Sequence, residues 1–125
     1  MNLNNLMAAA NIHTEAMSSM VAIYVPGTNG DAIADNTETV ERVASLFSDY
    51  YGGASAAPVN GYYNMSDGTL AREKSTRVYS YCTPDAFEKH FADVLNICAL
   101  IKTNLSQECI GLELNHGGET RMLYI

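Results

Sequence analysis

The chain has 125 residues, 47% of them hydrophobic, which is enough for one domain around one core and too apolar for a disordered acidic tail. Fourteen acidic side chains against seven basic ones give a net charge of −7. That excludes non-specific binding to nucleic acid or to an anionic membrane surface, both of which draw on Lys and Arg, and leaves room for a basic protein partner.

Residues 1–20, MNLNNLMAAANIHTEAMSSM, differ in character from the rest of the chain. Leu3, Leu6, Met7 and Ala10 have helical spacing, so the segment reads as an N-terminal extension, helical or flexible, ahead of a single domain over 21–125. The start of the chain has no basic stretch followed by an apolar core, so no secretory leader is expected. No apolar run reaches the length of a membrane span. Three cysteines, Cys82, Cys98 and Cys109, without CxxC spacing make a poor disulfide framework. Buried free thiols in a reducing cytoplasm are expected.

Val21 to Pro26 reads as a strand, and PGTNGD comes directly after it. Gly27 and Gly30 are three apart, no Lys follows, and Asp31 and Asp35 would repel phosphate, so this is a bend and not a phosphate cradle. A helix is predicted over 36–51. Asp35 and Glu38 have capping-box spacing, Val40, Val43, Ala44, Phe47 and Tyr51 form one apolar stripe, and Gly52-Gly53 ends it. A strand over 59–65, a Ser66-Asp67-Gly68 turn and a strand over 70–82 come next. The second strand alternates, but alternation alone does not say whether Tyr79 and Tyr81 face the core or solvent. Thr83-Pro84-Asp85 marks a helix start, and the stripe from Phe87 through Cys98 to Leu105 carries that helix. Strands over 109–114 and 120–125 close the chain around Asn115-His116-Gly117-Gly118. The order β-α-β-β-α-β-β, with a greasy face on each helix, predicts an α+β fold: a ferredoxin-like split βαβ sandwich with an antiparallel sheet and both helices on one face.

No residue set reads as a catalytic triad. Asp31, Asp35, Glu38 and Glu41 gather near the start of the first long helix. They read as capping plus a solvated face, or as an acidic stripe that docks on a basic surface. Six tyrosines fall on predicted strands, among them Tyr62, Tyr63, Tyr79 and Tyr81. Strand propensity explains them, and so does a sheet face used for contact. Base stacking on that face lacks a basic field, since Arg72, Lys74 and Arg77 form one small cluster. His90 reads as a surface histidine or, in an enzyme, as a base working with Tyr79 or Tyr81. His116, between Glu113 and Glu119, reads as a turn residue, and no metal site and no cofactor is expected.

The stretches YVPGTNGDAIADNTETVERVASLFSDYYGGASAAPVNGYY and VYSYCTPDAFEKHFADVLNICALIKTNLSQECIGLELN, with the closing Leu-Tyr-Ile, resemble a family of small uncharacterised ferredoxin-like proteins of bacterial phages and mobile elements. The resemblance covers 21–125 and brings no catalytic residues. Its setting implies a place in the cytoplasm of a bacterial host cell and an anti-CRISPR-type inhibitor of a bacterial defence nuclease. The expectation is therefore a non-enzymatic protein with a protein partner, such as a Cas nuclease. It would bind through Asp31, Asp35, Glu38 and Glu41 and through Tyr62, Tyr63, Tyr79 and Tyr81. The alternatives are a small-molecule enzyme of the dimeric α+β barrel type and a structural homodimer paired through its sheet.

Overall fold

A computed structural model describes residues 1–125. Helix α1 covers Leu3–Ala9 and strand β1 Ser19–Pro26, and a two-residue ladder joins β2 (Thr28–Asn29) to β3 (Ala32–Ile33). Helix α2 (Thr37–Tyr51), strands β4 (Ser55–Asn64) and β5 (Leu70–Cys82), helix α3 (Pro84–Asn104) and strands β6 (Gly111–His116) and β7 (Glu119–Tyr124) complete the order. The five long strands form one antiparallel sheet, β4-β5-β1-β6-β7, compatible with a ferredoxin-like fold. The short α1 and the β2–β3 ladder stand outside the predicted order; the ladder is what PGTNGD builds.

Residue type decides which face is covered. Val21, Ile23 and Val25 of β1, Val78 and Cys82 of β5, and Leu112 and Leu114 of β6 alternate onto one face. There they meet Val43, Phe47 and Tyr51 of α2 and Phe87, Val94, Cys98 and Ile101 of α3. The apolar stripes read from the sequence are the stripes that are buried. Thr83 caps α3, its hydroxyl accepting from the Ala86 amide at 3.2 Å, with Pro84 at the first helical position. Gly52, at φ 90°, ends α2 in the left-handed conformation that only glycine adopts at little cost. No helix is long and apolar enough to cross a membrane.

The start of α2 differs from the capping box. The N-cap is Asn36, and its side chain reaches back to donate to the Pro26 and Thr28 carbonyls, at 2.6 and 3.0 Å. Asp35 accepts from the Thr37 amide at 3.0 Å, so the residue that caps is one earlier than the reciprocal motif requires. Strand β4 begins at Ser55, four residues before the predicted start, because Ser55 to Pro58 pair with Tyr79 to Thr76 despite little β-propensity. At the other end β4 and β5 outrun the sheet. Strand β1 stops at Pro26, opposite Ser75, the Gly27 amide still donates to the Lys74 carbonyl at 3.0 Å, and the pairs from Gly61 with Glu73 to Asn64 with Leu70 form a two-stranded ribbon beyond it.

Candidate active site on the open sheet face

The second face of the sheet carries no helix. Its centre is Ala22, fully buried although it points away from the core, because its register partners Tyr79 and Glu113 rise on either side of its short side chain. Around it three strands bring together groups that lie 36 and 89 positions apart in sequence. The Tyr24 hydroxyl donates to Glu113 Oε1 at 2.7 Å. Arg77 donates to the same carboxylate through Nε at 3.2 Å and Nη2 at 3.4 Å. The Arg77 guanidinium also lies 4.4 Å over the Tyr79 ring, and Tyr79 meets Tyr81 edge-on.

Glu113 and Arg77 side chains are about a fifth exposed. Burial alone would push the Glu113 carboxyl up; the Tyr24 and Arg77 hydrogen bonds and the Arg77 charge outweigh it and hold it below the ordinary carboxylate value. Burial, then the bond to Glu113 and its charge, push the Tyr24 phenol up. At neutral pH the cluster is therefore a carboxylate, a guanidinium and a neutral phenol.

Beside this cluster a cleft of about 270 Å³ opens, walled by Tyr24, Val59, Glu73, Gly111, Met122 and Tyr124. It is small for a ligand site but open along one side. None of its lining residues is Lys or Arg, and Glu73 supplies a carboxylate. Gly111 sets its width: a Cβ there would come within 3.1 Å of Met122 Cε and 3.6 Å of the Tyr24 ring. Cys109, exposed, lies on the rim, while Cys82 and Cys98 are buried.

The sequence-predicted binding residues do not all meet. Tyr79 and Tyr81 share the open face. Tyr62 and Tyr63 are neighbours on the overhanging ribbon and point to opposite sides of it, Tyr63 toward the open face. Asp31, Asp35, Glu38 and Glu41 are exposed around the β2–β3 turn and the start of α2, in the helical layer. His90 stacks on Tyr50 with centroids 4.3 Å apart and pairs with Asp93 at 3.2 Å, also in the helical layer. The sheet separates it from Tyr79 and Tyr81, so the base-plus-tyrosine set is not assembled. His116 is no simple turn residue: its ring stacks on Phe87 at 4.2 Å and its Nδ1 lies 2.7 Å from the buried Ser19 hydroxyl. No three His, Cys, Asp or Glu side chains cluster as metal ligands. Sequence reading missed Tyr24, Glu73, Arg77 and Glu113 as a group. The available signal was the single acid of β6, Glu113, set between Leu112 and Leu114 and out of phase with them.

No protein-family model and no curated protein sequence matches the chain. Among solved structures, a phage SAM lyase in complex with S-methyl-5'-thioadenosine matches 90% of this chain and 94% of its own at a TM-score of 0.60 and 15% identity. A phage SAM lyase in the apo state matches 91% and 94%, at 0.63 and again 15% identity. At that identity the likeness is one of fold. The phage origin of both neighbours agrees with the phage setting implied by the sequence resemblance; the anti-CRISPR identity finds no support. The expectation of a non-enzymatic inhibitor is corrected by this finding: both matching chains are SAM lyases, and the small-molecule enzyme replaces the inhibitor as the reading to argue.

Proposed function

We propose that this chain is an enzyme that cleaves the sulfonium nucleoside S-adenosylmethionine to S-methyl-5'-thioadenosine, using the cleft on its open sheet face. The observation that carries the reading is the composition of that cleft within a fold shared with a SAM lyase: tyrosine rings, a carboxylate and no cationic lining residue. A sulfonium is a cation, attracted by Glu73 and by the faces of Tyr24 and Tyr124. The same rings offer flat surfaces to a purine.

This chemistry also fits the lack of a triad. In the balanced step the substrate's own carboxylate oxygen attacks the methionine-side carbon attached to sulfur, and a carbon–oxygen bond closes a five-membered lactone as the carbon–sulfur bond breaks. The electron pair of the broken bond goes to sulfur, which departs as a neutral thioether. No acid is needed to protonate it. The protein's work is then to hold the substrate in a reactive geometry. In this reading Glu113, fixed by Tyr24 and Arg77, places a rigid negative charge beside the cleft, and Glu73 places a second on its wall.

The test is chromatographic. Purified full chain is incubated with S-adenosylmethionine at neutral pH against a protein-free control. Thioadenosine product in molar excess over protein is expected, reduced at least about tenfold in Glu113→Gln, a change within the range for one electrostatic contact. Folded protein that yields no product above the control sinks the proposal.

A further inference from the structure

The end of helix α3 fixes Gln107 twice. Ser106 takes a positive φ of 52°, its amide donates to the Thr103 carbonyl at 3.3 Å, and the Gln107 amide donates to the Lys102 carbonyl at 2.9 Å. That pair of bonds is a Schellman cap, built here without the usual glycine, and it holds the Gln107 backbone. The side chain is held as well. Gln107 Nε2 donates to the Leu105 carbonyl at 2.8 Å and faces Thr28 Oγ1 at 3.2 Å, the Thr28 carbonyl at 3.3 Å and the Gly30 carbonyl at 3.5 Å. The Gly30 amide in turn donates to the Leu105 carbonyl at 2.8 Å. One side-chain amide thus ties the PGTNGD ladder to the end of α3.

These oxygens settle which way the amide is turned. Reversed, it would set Oε1 against the carbonyls of Thr28, Gly30 and Leu105, which can only accept. Oε1 is therefore turned away from them, and it accepts from no donor of the chain. It is not buried either, because the one buried side-chain polar atom without a partner is the Tyr51 hydroxyl. Gln107 lines the cleft together with Tyr24, Glu73 and Tyr124. The cleft therefore presents a neutral acceptor of fixed direction as well as the Glu73 carboxylate.

The two acceptors suit different parts of one ligand. A carboxylate attracts the sulfonium, and a neutral amide oxygen is left for an uncharged donor. Ribose hydroxyls rotate to donate or accept, so a single acceptor reads them weakly. The exocyclic amine of adenine is a donor of fixed direction, and glutamine meets it through its amide oxygen in base recognition. We infer that Gln107 Oε1 accepts from the exocyclic amine of the adenine and sets the preference of the cleft for 6-amino over 6-oxo purines. The inference rests on the nucleoside-cleaving reading of this cleft. By committing Nε2 to Thr28, Gly30 and Leu105, the fold leaves a group that can only accept. A 6-oxo purine offers it another acceptor, which leaves both groups unpaired.

The test is calorimetric titration of the full chain with S-methyl-5'-thioadenosine and with its 6-oxo counterpart, S-methyl-5'-thioinosine. The parent is expected to bind the amino compound at least about tenfold more tightly, the scale of one polar contact. Gln107→Met, similar in length, is expected to bring the two within about twofold. Gln107→Asn keeps an amide but withdraws it by one methylene, and is expected to do the same if the Met variant fails to fold. A loosened loop would weaken both nucleosides together and leave their ratio unchanged, so the ratio separates recognition from structure. Equal binding of the two by the parent overturns the inference. So does a preference that survives both substitutions, or a parent that binds neither nucleoside. The enzymatic reading is judged apart, by product formed from S-adenosylmethionine: turnover with equal binding sinks the adenine contact alone.

Discussion

Replacing Glu113 with Gln removes one charge and keeps the shape, which isolates the electrostatic role of the cluster on the open face. Three hydrogen bonds converge on this carboxylate, two from Arg77 and one from Tyr24. Fully exposed ion pairs contribute at most about 1 kcal/mol, and loss of one partner from a fully buried pair costs about 3–5 kcal/mol. With both side chains about a fifth exposed, the cost falls toward the lower end, at about 1–2 kcal/mol. For a domain of this size that is a fall of roughly 3–8 °C in melting temperature. The assay is denaturant unfolding of the parent, Glu113→Gln, Arg77→Met and the double variant, read as a double-mutant cycle. A coupling energy of about 1 kcal/mol or more is expected. Coupling indistinguishable from zero would refute the claim that Arg77 and Glu113 hold each other. The pH dependence comes from the lowered carboxyl value. A depressed folded-state pKa contributes stability that is complete above the ordinary carboxylate range, near 4.5, and is lost as pH falls through the folded value. The parent should therefore lose its advantage over Glu113→Gln as solution is acidified below that range, and keep it unchanged from about pH 6 to 8.

Two other outcomes are expected. Gly111→Ala pushes a methyl toward Met122 and Tyr24; because the Met122 end is flexible, stability should fall by no more than about 1–3 kcal/mol while product formation drops further, so equal losses in a calorimetric and a product assay would contradict the assigned role of Gly111. Burial pushes the Cys82 thiol up to about 11 and the Cys98 thiol up to about 12, whereas Cys109 is exposed, so a maleimide reagent at about pH 7 should label one thiol per folded chain rapidly, with the site read by mass spectrometry; two rapid equivalents would place Cys82 or Cys98 wrongly.

The helices were legible in the sequence because their information is local. The stripe from Val40 to Tyr51, the Thr83-Pro84 start and the Gly52 stop each lie within a few residues of what they specify, and all are in place. The Ser66-Asp67-Gly68 turn is local too, with Gly68 at φ 88° and Asp67 accepting from the Thr69 amide. The candidate site was illegible for the opposite reason. Tyr24, Arg77 and Glu113 sit on three strands, and their meeting depends on the register that pairs Tyr24 with Arg77 and Ala22 with Glu113. A slip of one residue in either pairing would turn one partner to the other face. Strand alternation gave the two faces of β5 without naming the covered one. That is settled by Val21, Ile23 and Val25 of β1 next to it, which no reading of β5 alone contains. The acids near α2 drew attention because they are close in sequence, and Asp35 is occupied by a local task, holding Thr37.

The ribbon that β4 and β5 form beyond Pro26 has a dynamic consequence. A two-stranded ribbon without a third strand or a helix against it is marginal in water, so its hydrogen bonds break in small local openings long before the domain melts. Gly61 and Glu73 pair within this stretch, and both line the cleft. One wall of the cleft thus belongs to the least protected cooperative unit of the sheet, while the opposite wall, Tyr24 and Gly111, is anchored beside the core. Amide exchange should divide the cleft along that line, fast at Gly61 to Glu73 and slow at β1 and β6. The fluctuations that open the cleft would then come from the ribbon, with the core strands at rest.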